Sequence, residues 1–77
     1  MITSQQALKL VQLILDYWAE NDPFTREHTF INENGDIEIH SISLGGRCIG
    51  ALNTEFEHIQ VSTSLQFPDH IRVVCSL

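Results

Sequence analysis

The chain has 77 residues, 43% of them hydrophobic, with ten Asp and Glu against four Lys and Arg, for a formal net charge of -6. That length fits one domain with a small core, read as a single α+β domain over residues 1–77, and the apolar content is too high for a disordered chain. The acid excess, with Lys9, Arg26, Arg47 and Arg72 scattered singly, works against binding a phosphate backbone, so no nucleic-acid partner is expected.

The first residues lack the basic segment and apolar run of a secretory leader. The most apolar stretch, residues 8–15, is broken by Lys9 and Gln12 and is too short to span a bilayer. Two cysteines, Cys48 and Cys75, are too few for a disulfide scaffold. A cytoplasmic, reducing location without membrane contact is the expectation.

The first predicted element is a helix over residues 4–20. Thr3 or Ser4 can cap it, and Thr3 with Gln6 has capping-box spacing. Pro23 is expected to end it by forcing Asp22 out of helical geometry. On a helical wheel Gln5, Lys9, Gln12, Asp16 and Glu20 form a narrow polar stripe. Ala7, Val11, Ile14 and Trp18 lie opposite, with Leu8 and Leu15 on one flank and Leu10, Leu13 and Tyr17 on the other. A helix lying on one sheet needs an apolar arc of roughly 100° or somewhat more. This arc covers over half the circumference, so one flank is in excess.

Strand signals follow. Asn34-Gly35 and Gly45-Gly46 both suit two-residue hairpin turns, which predicts strands over residues 28–33, 36–44 and 47–53. Such turns fix register: Phe30 opposite Ile39, Ile39 opposite Leu52, Ile42 opposite Ile49, and Ser43 opposite Cys48. One face then carries Phe30, Ile37, Ile39, Cys48, Gly50 and Leu52 and is assigned to the helix. The other carries Ile31, Glu38, His40, Ile42, Leu44, Arg47, Ile49 and Ala51. Alternation predicts two further strands over residues 57–65 and 70–76. The expected fold is α+β, with one N-terminal helix packed on an antiparallel β-meander of four to five strands.

Chemistry-bearing patterns are sparse. His28, His40, His58 and His70 show no metal-ligand spacing, and strand parity places His40 on the face away from the helix. Cys48 follows Arg47 but has no paired base. The Gly45-Gly46-Arg47-Cys48-Ile49-Gly50 run lacks the Lys-Ser/Thr of a phosphate loop and is read as a turn. Asp69-His70 and Glu57-His58 are strand neighbours whose side chains point to opposite faces. No catalytic, cofactor-binding or metal-ligating residue is therefore assigned, and no cofactor is expected.

These features lead to a non-enzymatic protein-protein interaction module that self-associates through its surplus apolar helix surface, as a homodimer or docked on a protein partner. The interface is assigned to Leu10, Leu13 and Tyr17, with Ile42, Leu44 and Ile49 as a second patch. Two other readings stand beside it. One is an acidic inhibitor, of the kind phages and mobile elements encode, that occupies a basic site on a host protein. The other is a small enzyme or ligand-binding domain with its site at a dimer interface.

Overall fold

The computed structural model describes residues 2–77. Helix α1 spans Ser4–Tyr17 and is followed by a short helix α2, Pro23–Glu27. Strands β1, Thr29–Ile31, and β2, Ile37–Ser41, form a hairpin; helix α3, Gly46–Glu55, leads to β3, His58–Thr63, and β4, Ile71–Ser76. The fold is α+β with a four-stranded antiparallel sheet in the order β1-β2-β4-β3.

The N-terminal helix and its capping box form as expected. The Thr3 hydroxyl accepts from the Gln6 N–H, and the Gln6 side chain accepts from the Thr3 N–H. The helix stops at Tyr17, short of the expected Glu20, and the chain turns at Ala19 with φ 55°. Pro23 does not terminate this helix but opens the next one. It sits in the first turn of α2, where a missing N–H costs nothing, and the Asp22 carboxylate caps the Thr25 N–H at 2.8 Å. The buried stripe of α1 is Ala7, Val11 and Leu15, spaced by four. It lies toward the Leu15 flank, so Trp18 is only half-buried at the edge of the core and stands edge-on to Tyr17.

The Asn34-Gly35 hairpin is present, but its loop has three residues, not two. Ile31 pairs with Ile37, and the Asn32 N–H reaches the Asp36 carbonyl at 2.9 Å. The Asn32 carbonyl accepts from the Gly35 N–H, and Gly35 takes φ 83°. This is a type I turn closed by a left-handed glycine. The Asn32 side chain favours it by accepting from the N–H groups of Asn34 and Asp36. The extra residue moves the register by one, so Thr29, not Phe30, faces Ile39. A one-residue slip turns every side chain over. Phe30 therefore joins Glu38 and His40 on the outer face.

Residues 46–55 depart furthest from the expected meander. They form α3 and not a third meander strand, and Gly45-Gly46 is a helix start and not a turn. Cys48, Leu52 and Phe56 recur every four residues and are all buried, with Ile49 packed beside them. This 3.6-residue period competes with the alternation of Cys48, Gly50 and Leu52, and core burial decides for the helix. The Gly45 N–H is held by the Glu20 carboxylate at 2.9 Å. β2 then pairs with β4 and not with residues 47–53. Its partners run from Ile37 with Cys75 to Ser41 with Ile71.

The helix-side face of the sheet carries Ile37, Ile39, Val73 and Cys75. They close against Ala7, Val11 and Leu15 of α1 and Cys48 and Leu52 of α3, all essentially buried. Thr25 of α2 joins this frame from the side, its hydroxyl bonded to Ser41 and its carbonyl to the Thr29 hydroxyl.

Two glycine substitutions probe the local geometry of α3 and of the β1–β2 turn. Nothing lies within 4 Å of a Cβ built on Gly50, an exposed position inside α3. Gly50→Ala is expected to stabilise the protein by roughly 0.5–1 kcal/mol, because glycine is a poor helix residue. Gly35→Ala is expected to destabilise it, by about 1 kcal/mol or more, since φ 83° is strained for any side chain. Urea unfolding midpoints of the two variants check both signs.

Candidate functional site

The outer face of the sheet holds the densest polar chemistry. β2 and β4 place Glu38, His40 and Arg72 side by side, since His40 pairs with Arg72 and Glu38 with Val74. Arg72 clasps Glu38 with two hydrogen bonds, Nε to Oε1 at 2.9 Å and Nη2 to Oε2 at 3.2 Å. The His40 Nε2 lies 2.8 Å from the same Oε1, and the Asn32 amide donates to Oε2. On its other side His40 Nδ1 meets the Ser64 hydroxyl at 3.0 Å, and the Phe67 N–H donates to that hydroxyl at 3.1 Å.

Proton positions follow from these contacts. The Arg72 guanidinium holds the Glu38 carboxyl down at about 2, against the opposing effect of burial, with His40 and Asn32 helping. An ionised Glu38 only accepts, so the His40 Nε2 carries a hydrogen. In the neutral ring Nδ1 then accepts from the Ser64 hydroxyl, whose oxygen accepts in turn from Phe67. The ion pair raises Arg72 above its ordinary value.

A hydroxyl, an imidazole and a carboxylate in series is the order of a nucleophile, its base and the base's orienting group. Here the series is closed. Ser64 is 5% exposed and both its hydrogen-bonding directions are used. The charge of Glu38 is committed to Arg72. Phe67 packs against the His40 ring with centroids 5.4 Å apart, and Phe30 stacks parallel to it at 6.0 Å. A groove of about 620 Å³ runs alongside, lined by Glu33, Glu38, His40, Ser62, Thr63, Leu65, Gln66 and Arg72, and Ser64 does not reach it. Among the described residues no buried side-chain nitrogen or oxygen lacks a partner. The arrangement locks two strands and keeps the Ser64 hydroxyl out of the groove, which the part-exposed Arg72 side chain lines.

Beside this network Phe24 is sandwiched between His28 at 4.1 Å and His70 at 4.4 Å, with Phe67 edge-on. His28 Nδ1 faces the Phe24 carbonyl and His70 Nδ1 the Pro68 carbonyl, each at 2.8 Å. Among the described residues no three His, Cys, Asp or Glu side chains group to hold a metal ion. Cys48 and Cys75 lie in the core, and burial pushes their thiols up to about 11 and about 12, with the Glu20 carboxylate adding at Cys48.

The residues expected to form an interface are dispersed. On α1, Leu13 is 63% and Tyr17 79% exposed, while Leu10 packs partly against the core. The second patch does not exist as one surface. Ile42 and Leu44 lie in the link between β2 and α3, and Ile49 is on α3. Leu44 is a core residue at 8% exposure, Ile49 packs partly on the core, and Ile42 alone is open. His40 is on the outer face, as strand parity indicated. Sequence reasoning missed its union with Arg72 and Ser64. The local signal was Glu38 and His40 alternating with Ile37 and Ile39; the distant partners needed the β2–β4 pairing.

One sheet edge is short. β1 has three residues and lies next to α2. The other edge, β3, has six residues, five of them exposed and Ile59 half-exposed. The Ser64 N–H bonds the His70 carbonyl at 3.0 Å, so even-numbered residues here face β4. The N–H and C=O groups of Ile59, Val61 and Thr63 consequently point away from the sheet. No helix among the described residues is long and apolar enough to cross a membrane. No family model, curated protein or solved structure matches the chain.

The network has a pH signature. The folded Glu38 is depressed from 4.5 to about 2, so its contribution is complete above pH 4.5 and is lost as pH falls toward 2. Unfolding free energy is expected to drop over that window by an amount on the order of 2 kcal/mol, and Glu38→Gln to flatten the drop. Arg72→Met leaves a buried carboxylate unpaired and is expected to cost about 3 kcal/mol at pH 7. Denaturant titrations between pH 2 and pH 7 on the three proteins check this.

Proposed function

We propose that this chain is a non-enzymatic protein-interaction module that binds by strand addition at the free edge of β3. The observation that supports it is the unprotected edge. β3 is six residues long, runs in unbroken register with β4, and contains neither Lys nor Pro. Exposed edges usually carry such residues, a bulge or a cover, because a row of unpaired N–H and C=O groups invites another strand. Val61 adds an apolar side chain that is 48% exposed at the middle of that edge. An incoming strand would gain main-chain hydrogen bonds and cover this residue.

The edge is a better docking surface than the α1 flank. Leu10 is partly withdrawn into the core, which leaves only the neighbouring pair Leu13 and Tyr17 on a helix whose backbone is already bonded. The closed Ser64-His40-Glu38 series supports binding over catalysis, since it leaves no accessible nucleophile.

The test is an amide-resolved NMR titration of the protein with a peptide spanning residues 57–64, in large excess. Shifts centred on the amides of Ile59, Val61 and Thr63 are expected, whether the peptide fills an empty edge or displaces an occupant. Shifts confined to α1 around Leu13 and Tyr17, or no shifts at all, overturn strand addition at β3.

A further inference from the structure

Resting on the strand-addition reading, we infer that the strand added to β3 is the β3 of a second copy, antiparallel across a two-fold axis at Val61, giving one continuous eight-stranded sheet.

Register accommodates this occupant. The outward-pointing residues are Ile59, Val61 and Thr63, spaced evenly about Val61. An antiparallel copy can place Val61 opposite its own mate, Ile59 opposite Thr63 and Thr63 opposite Ile59. All three become hydrogen-bonded pairs, and the seam gains about six backbone hydrogen bonds with none of these groups left over. On the helix side β-branched side chains meet one another, and on the outer side polar ones do. The Val61 pair covers itself on the helix side, while Gln60 faces Ser62 of the second copy on the outer side. His58 faces Ser64.

Charge argues the same way. Each copy carries -6, and two such molecules repel over most approaches. β3 has no Asp, Glu, Lys or Arg across its six residues. It is an uncharged seam on an acidic molecule. A strand from a basic partner would find no carboxylate on β3 to recognise, whereas a second copy brings no charge to it. The short β1 edge offers three residues and cannot build the same ladder.

The experiment is light scattering after size exclusion on the full chain and three variants, with circular dichroism as the check on folding. Val61→Pro deletes an outward N–H that β4 does not use, so the β3–β4 ladder keeps its bonds. Val61→Lys places charges on the axis and keeps the backbone intact. Leu13→Glu alters the α1 flank alone. The wild type is expected at twice the chain mass of 8.8 kDa, both Val61 variants at the single mass, and Leu13→Glu at the doubled mass. If Val61→Pro fails to fold, Val61→Lys decides.

A wild type that stays at the single mass when concentrated overturns the second copy as occupant. If that monomer still shows the peptide shifts at β3, strand addition itself survives. A dimer that Leu13→Glu dissociates and Val61→Lys leaves intact overturns both β3 readings and moves the interface to α1. Salt supplies a separate readout. Screening the repulsion between two acidic copies is expected to tighten the dimer, and a dimer weakened by salt contradicts an uncharged seam.

Discussion

The antiparallel pairing of β2 with β4 is the contact on which the remaining structure depends. It joins residues more than thirty positions apart, Ile37 with Cys75 and Ile39 with Val73, at the centre of the sheet. Both strands then have neighbours on each side, β1 beyond β2 and β3 beyond β4. The four inward residues of this pair make the floor on which α1 and α3 rest. Closing so long a loop costs chain entropy before any contact is gained. The pairing is therefore held on both faces: by core packing on the helix side and by the Glu38 network on the outer side.

That outer network sets register, even where an apolar replacement would be about as stable. A buried ion pair gives up hydration for its attraction, and the two nearly offset. A slip of one residue between β2 and β4 would separate Arg72 from Glu38 and leave a buried carboxylate without a partner. It would also turn Ile37 and Ile39 outward. The two penalties reinforce each other, so local polarity and core packing point to the same alignment. Ser64 extends the constraint past the end of β3. By holding both His40 and the Phe67 N–H, its hydroxyl ties the β3–β4 loop to the central strand. Phe67 is thereby seated among Phe24, His28 and His70, and the aromatic cluster joins α2 to the same end of the sheet.

Where local chemistry decides, the sequence was readable. The Thr3–Gln6 box, the apolar arc of α1, the Asn34-Gly35 reversal and the strands expected at residues 57–65 and 70–76 all correspond to real features. The α3 segment was misread because Gly46 and Gly50 look like turn and strand punctuation, and its alternate apolar residues imitate a strand. Both glycines face open space, so the helix tolerates them while Cys48, Leu52 and Phe56 supply the burial. The hairpin register was misread for a subtler reason. Asn32 converts a two-residue turn into a three-residue one through its own side chain, which the Asn-Gly pair alone does not reveal. The Glu38-His40-Arg72-Ser64 site was illegible because its members come from three segments that only the β2–β4 pairing brings together.

A small sheet must leave two edges, and this fold treats them differently. β1 is cut to three residues and backed by α2, so it offers little template to another chain. β3 is twice as long and, although α3 lies against it, five of its six residues are exposed. In a chain with ten acids, adding one to β3 would have been a small change that protected it against strand pairing. The acids instead lie elsewhere, at Glu20 and Asp22, Glu33 and Asp36, Glu55 and Glu57. Such a distribution opposes indiscriminate association over most of the surface and leaves β3 with no electrostatic barrier of its own. On the proposed strand-addition reading, an edge left neutral on an otherwise acidic molecule would select its partner by register and shape, because only a strand that matches the outward groups of Ile59, Val61 and Thr63 gains the full ladder.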